Sequence, residues 1–167
     1  RNRQAQIQRN EEIKKLIEQN SVDWFLDENS YKDFTHKCLF PRILSGSLDS
    51  LYCFYFVCML KERCQKFNFT TLLESVVMYL HYYIVICTPS AIHCLAMFMK
   101  KIFEEFVKMK KTQPLFSNMT KRICTLATQS NPVVLVKTLN FLSGVISIYP
   151  NDTTDIETLT ECLGKID

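Results

Sequence analysis

The chain has 167 residues, of which 47% are hydrophobic and 22% charged, and its formal net charge is +3 at pH 7. The length fits one domain. The hydrophobic fraction is high enough to form a core, which excludes a chain that is disordered throughout. With only 3 glycines and 5 prolines, the chain lacks the turn residues of an all-β protein, so helices joined by short loops are favoured. We expect a part of a longer polypeptide, since the first residue is Arg1 and not Met.

The first 20 residues predict an amphipathic helix. Ile13, Leu16 and Ile17 recur among charged residues at the i, i+3, i+4 spacing of one helical face. We interpret residues 1–20 as an N-terminal helix that continues from a longer chain. Residues 21–167 are expected to form a separate helical-repeat domain.

The next stretch predicts two helices separated by a break. A short helix is predicted over residues 31–39. Pro41 disfavours helical geometry at the residue before it, so we expect extended backbone at Phe40. Ser47 is the expected N-cap of a helix over about residues 48–65.

The rest of the chain carries repeated helix-start signals. Asn68 is one, and the pairs Thr88-Pro89 and Asn131-Pro132 combine an N-cap residue with a proline suited to the first helical position. The predicted helices cover about residues 70–87, 89–110, 115–129, 132–149 and 155–164. Seven or eight helices with short loops predict an all-α fold, either a helical-hairpin solenoid of the HEAT/armadillo-like type or a compact multi-helix bundle.

Two apolar stretches raise the question of a membrane span. Leu48–Leu60 and Val76–Cys87 are both shorter than the roughly 20 consecutive apolar residues that a span needs. We therefore interpret both stretches as buried helices and expect no membrane partner.

The eight cysteines allow two interpretations. Most of them lie in apolar stretches and none forms a CxxC pair, which favours reduced thiols in the core over a zinc site or a disulfide framework. Three N-x-S/T sequons, at Asn68, Asn118 and Asn151, are the contrary indication of a secreted chain.

Candidate catalytic residues are few. His36 stands two residues before Cys38 and His93 adjoins Cys94, so a Cys–His nucleophile pair is conceivable, but partly buried structural roles are favoured for His81 and His93. The sequence contains no Gly-rich phosphate loop and no HExxH motif. We therefore expect no enzyme activity, no bound metal and no cofactor.

Basic residues cluster between positions 98 and 122. Side chains of this kind bind phosphates, so the cluster is a candidate RNA-contact surface if a helical hairpin brings its two halves together. A solvated helix face is the alternative interpretation. The candidate residues are Lys100, Lys101, Lys108, Lys110, Lys111, Lys121 and Arg122.

A series of short motifs follows in a characteristic order. The series starts with Trp24-Phe25, then Cys38-Leu39-Phe40-Pro41-Arg42, then Asp49-Ser50-Leu51-Tyr52-Cys53 with Phe56, then Asn68-Phe69-Thr70-Thr71-Leu72, and ends with Cys87-Thr88. In this order and spacing the chain resembles the C-terminal helical region of the largest subunit of the THO (TREX) complex, as a divergent member. The resemblance covers roughly residues 5–150.

The resemblance implies a nuclear scaffold without catalytic residues. It implies contacts with other THO subunits and with a DEAD-box RNA helicase during mRNA packaging and export. Phe40-Pro41-Arg42 would form a structural corner with Asp49, Tyr52 and Cys53, and we expect Arg42 and Asp49 to pair across it. Two alternatives stay open: a secreted, disulfide-bonded helical-bundle ligand, and an unrelated cytosolic HEAT-type adaptor.

Overall fold

The computed structural model describes residues 2–20, 27–109, 113–129, 131–149 and 154–164, and it is helical throughout these ranges apart from short connections. The predicted all-α fold is confirmed. The helices are α1 (Asn2–Asn20), α2 (Glu28–Asp33), α3 (Phe40–Ile43), α4 (Ser47–Arg63), α5 (Phe69–Ile86), α6 (Pro89–Val107), α7 (Gln113–Ala127), α8 (Pro132–Val145) and α9 (Thr154–Leu163). A π-helix, Phe34–Leu39, joins α2 to α3, and a 3₁₀ turn, Ile146–Ile148, follows α8.

The extended backbone predicted at Phe40 is wrong. Phe40 is helical, with φ −60° and ψ −48°, and its N–H donates to the carbonyl of Thr35, five residues back. In an α-helix the proline ring would clash with the carbonyl four residues before it, but the wider π turn shifts the preceding carbonyls. Pro41 then occupies the start of α3, where no N–H is required.

Helix caps follow the sequence signals in three places and depart from them in one. The side chains of Asn68, Thr88 and Asn131 accept hydrogen bonds from the first turns of α5, α6 and α8, as predicted. Ser47 is not the N-cap of α4. It is the first helical residue after Gly46, and its hydroxyl lies 3.9 Å from the Cys94 sulfur.

Successive helices from α4 onward lie in two layers. One layer contains α4, α6 and α8, with α6 in the middle. The other contains α5, α7 and α9, with α2 packed on α5. Further contacts of α8 with α5 and α7 hold the layers together. Of the two predicted architectures, this alternation corresponds to the helical-hairpin solenoid.

A chain of aromatic rings runs through the core between the layers. Phe69 packs on Phe106, Phe106 on Phe103, and Phe103 on Phe116, with centroid separations of 6.3, 6.1 and 5.0 Å. Phe116 then meets Tyr149 at 5.3 Å. All five rings are buried. The series links α5, α6, α7 and the segment after α8 into one core.

A glycine allows α8 to lie very close to α6. A Cβ atom added at Gly144 of α8 would lie 2.6 Å from the Cβ of Ala96 on α6. Real Cβ atoms do not approach so closely, and neither group can rotate away. The missing side chain therefore sets the distance between α6 and α8.

Helix α5 is long and apolar enough to cross a membrane by length and composition. The apolar stretch Val76–Cys87 is the second part of this longer helix together with its C-cap. Half of that helix is buried against the rest of the chain, including Leu72, Val76 and Leu80, as in the core helix of a soluble fold.

The predicted corner between α3 and α4 is present. The Nε atom of Arg42 lies 2.9 Å from Oδ1 of Asp49, which confirms the predicted pair. Phe40 is fully buried behind this pair and stacks on Tyr83 at 4.0 Å with an interplanar angle of 9°. Ser50, one residue after Asp49, donates a 2.8 Å hydrogen bond to the carbonyl of Cys94 and ties the corner to α6.

Substituting Gly144→Ala should destabilise the fold. The added methyl group forces α8 away from α6, at a cost of about 1–3 kcal/mol, while the gain in helix propensity returns less than about 1 kcal/mol. Urea denaturation should show a lower free energy of unfolding. Ser143→Ala, on the exposed side of the same helix, is the matched control and should not destabilise. Combining Ala96→Gly with Gly144→Ala should recover part of the lost free energy of unfolding. If the effects of the two substitutions were fully additive, the two positions would not be in contact.

Substituting Arg42→Ala should lower the free energy of unfolding by less than about 1 kcal/mol, because the Arg42 side chain is 63% exposed. A double-mutant cycle with Asp49→Asn isolates the pair and should give a coupling energy of about 0.2–1 kcal/mol. Arg63 does not serve as a control, because its guanidinium lies 3.1 Å from Glu18 and its substitution would break another ion pair. Arg9, exposed on α1, is the better control. A coupling energy of zero would mean that the corner does not depend on this pair.

Candidate functional site

Some residues of the family motifs lie at the surface, and others are buried in the core. Pro41, Arg42 and Tyr52 are exposed, Asn68 caps α5, and Phe56 is half-buried against Phe34 at a ring separation of 6.5 Å. The others form core: Phe40, Cys53, Phe69 and Leu72 are buried. Trp24 lies outside the described residues. The motif residues therefore lie mainly at the corner between α3 and α4 and at the start of α5, and they do not form a continuous surface.

The cysteines are free thiols, and most are shielded from solvent. Burial raises the pKa of Cys53 to about 11, and it raises the pKa of Cys58 and Cys87 above the usual value. Thiols with raised pKa values are weak nucleophiles at neutral pH. Cys38 is the exposed exception.

The histidines do not form the conceivable Cys–His pair. His36 directs Nδ1 to the hydroxyl of Tyr83 at 2.8 Å and stacks on Tyr79 at 5.1 Å. Cys94 is buried, whereas the adjacent His93 is exposed. The predicted partial burial is therefore correct for His81 and wrong for His93. In the described part of the chain, no three His, Cys, Asp or Glu side chains come together as metal ligands.

The lysines of α6 lie on its outward side among acidic residues. Lys101 is exposed and Lys100 half-buried, and Glu104 follows them by one turn. Glu105 accepts a short hydrogen bond from Lys108, which raises the pKa of that lysine, and it lies 3.9 Å from Lys61 on α4. Lys108 is thus partly neutralised, which leaves Lys100 and Lys101 as the basic centre of this surface.

The other half of the candidate basic surface is only partly described. Helix α6 ends at Val107, earlier than predicted, and Lys110 and Lys111 lie outside the described residues. On α7, Lys121 is exposed and Arg122 half-buried. Helix α7 packs mainly on α5, α8 and α9. That Lys121 and Arg122 form one surface with the lysines of α6 therefore stays a prediction.

Sequence reasoning missed the outward face of α4. Leu48, Tyr52 and Tyr55 are 84%, 48% and 62% exposed, and they follow one another at spacings of four and three residues. On this side of α4, helix α1 forms one wall of a groove of about 500 Å³. The groove is lined by Ile13, Lys14, Tyr52, Tyr55, Phe56, Cys58, Met59, Glu62 and Arg63. The heptad-like spacing was the available signal, but the high apolar content of α4 favoured a core interpretation.

Comparison with known proteins adds a family. A search of curated proteins gave no match for this chain. Residues 1–132 match the family described as Tho2, transcription factor/nuclear export subunit protein 2, and the match extends from α1 through α7 to the start of α8. The family associates the chain with the THO complex, with transcription and mRNA export, and with the nucleus. Since the match covers most of its length, the chain belongs to the Tho2 family of transcription and nuclear export subunits.

Proposed function

We propose that this segment is a non-catalytic scaffold of a THO/TREX-type complex that couples transcription to mRNA packaging and export. The observation that carries the proposal is the family match over residues 1–132. A two-layer solenoid suits this role because its helices present an extended surface to partners. The partners are other THO subunits and a DEAD-box RNA helicase, and the segment holds them by protein contacts.

Affinity purification of the full-length protein from nuclear extract tests the proposal. Mass spectrometry before and after nuclease treatment should find other THO subunits and a DEAD-box helicase in both samples, because protein contacts survive the loss of RNA. Partners that disappear with nuclease would show that RNA holds them and would overturn the scaffold role. Recovery of only cytosolic or secretory proteins would favour the adaptor or the secreted ligand instead.

Contact with RNA is a second candidate function. Lys100 and Lys101 are consecutive in α6, where Lys101 is exposed and Lys100 half-buried, and among the described residues neither makes an ion pair within 4.0 Å. Two adjacent ammonium groups suit a phosphate backbone, which binds without base recognition. Lys108, Lys110, Lys111, Lys121 and Arg122 extend this surface if their segments lie beside it.

Replacing Lys100 and Lys101 with glutamine should weaken binding of the purified complex to a single-stranded RNA oligonucleotide. The slope of log K against log salt should become shallower by about 1.4, since each lost contact to single-stranded RNA removes about 0.7. The control is Lys66→Gln, at an exposed lysine in the connection between α4 and α5. Equal slopes for the double variant and the control would exclude RNA contact at these two lysines.

A further inference from the structure

Helix α9 packs mainly on α7. Its buried residues Asp155, Leu159 and Cys162 recur at spacings of four and three residues, so one narrow side of the helix is covered. The helix has only 10 residues, and isolated helices shorter than about 12 residues are marginal in water. The position of α9 therefore depends on a small interface with α7.

Two cysteines face each other across that interface. The Sγ atom of Cys162 lies 3.7 Å from the carbonyl oxygen of Cys124 on α7. In return, the Sγ atom of Cys124 lies 4.0 Å from the carbonyl oxygen of Thr158. Thr158 stands four residues before Cys162 in α9, so its carbonyl points towards the backbone N–H of Cys162. Each thiol therefore lies beside the backbone of the other cysteine.

The two thiols also interact with each other. Burial raises the pKa of the Cys124 thiol, and a hydrogen bond between its side chain and that of Cys162 raises it further. A thiol with a raised pKa carries little thiolate at neutral pH and reacts slowly with oxidants. This explains how two neighbouring cysteines stay reduced under ordinary conditions.

An oxidant in solution can reach the pair from one side. Cys124 is half-buried, whereas Cys162 is buried behind it. Attack on the oxidant therefore starts at Cys124, and Cys162 is the neighbouring thiol that completes the reaction. Pairs of this kind, in which an accessible cysteine stands next to a second one, are typical of cysteines that sense oxidation.

We propose that Cys124 and Cys162 form a reversible disulfide that fixes α9 to α7 when the protein meets a low-molecular-weight disulfide, such as oxidised glutathione. The thiolate of Cys124 attacks one sulfur of the oxidant, whose S–S bond breaks and releases one glutathione. The thiolate of Cys162 then attacks the Cys124 sulfur of this mixed disulfide, and the second glutathione leaves. Two electrons pass from the cysteines to the oxidant, and the two thiol protons end on the released glutathione molecules.

The disulfide would change the mobility of α9 more than its position. Neither thiol has to leave the interface, so the bond requires side-chain rotation and a small shift of a helix that is held by one neighbour. Once formed, it joins residues 38 positions apart and prevents α9 from separating from α7. This device does not depend on the proposed scaffold function.

Disulfide mapping and hydrogen exchange on the full-length protein test the proposal. After incubation with oxidised glutathione, the remaining thiols are alkylated, and mass spectrometry should find the peptides of Cys124 and Cys162 linked. The amides of α9 should exchange about tenfold more slowly in the oxidised protein, because local opening of α9 is restricted. Dithiothreitol should restore both the free thiols and the faster exchange.

Two substitutions separate this pair from the other cysteines. Cys162→Ser keeps a small hydrogen-bond donor in the interface but removes the second thiol, so oxidation should stop with glutathione attached to Cys124. The exchange of α9 should then stay at the rate of the reduced protein. Cys38→Ser is the matched control, since Cys38 is an exposed cysteine on the π-helix, and this variant should still form the link and slow the exchange.

Four outcomes would overturn the proposal. The first is attached glutathione without a linked peptide in the parent protein, and the second is a link from either residue to a different cysteine. The third is the expected link with unchanged exchange of α9, which would mean that the bond does not fix the helix. The fourth is a link already complete in protein alkylated directly in unstressed cells, which would make the disulfide permanent. Each leaves the scaffold function standing, since that function rests on the family match.

Discussion

The arrangement of the helices depends on the close approach of α8 to α6 at Gly144 and Ala96. Because Gly144 has no side chain and Ala96 has only a methyl group, α8 can lie near enough for its apolar side to complete the core around α6. Helix α6 is then covered by α4 on one side and α8 on the other. The aromatic series from Phe69 to Tyr149 fills the space between this layer and the next. In this layer α4, α6 and α8 therefore lie side by side, with α6 in the middle.

Local signals in the sequence predicted most helix starts correctly, because an N-cap involves only a few neighbouring residues. The N-caps at Asn68, Thr88 and Asn131 could be predicted without knowing the fold. Phe40 was mispredicted because the conformation before Pro41 depends on the preceding π turn, and that turn carries Phe40 into the core against Tyr83. A rule for the residue before proline describes a local preference, and burial of a large ring outweighed it here.

The candidate sites divide in the same way. The Arg42–Asp49 pair could be predicted because its partners are close in sequence across one turn. The exposure of the outer face of α4 could not be predicted. Its apolar residues lie on opposite sides of the helix, and from the sequence alone either side could be buried. Only the packing shows that Cys53 and Val57 are buried while Tyr52 and Tyr55 are exposed. Burial on each side of such a helix is a property of the assembly, which the sequence of one chain encodes only in part.

The layer formed by α4, α6 and α8 combines two kinds of outer surface. On α4 the side chains of Tyr52 and Tyr55 are exposed, and α8 exposes Val133 and Val136. Helix α6, between them, exposes Lys101 and Glu104. Apolar contacts strengthen as water is excluded, whereas phosphate contacts weaken as salt rises. A partner bound through the apolar side chains of this layer would therefore depend little on salt, whereas RNA bound through α6 would depend on it strongly. The two kinds of contact on one layer can be separated by ionic strength alone, without altering a residue.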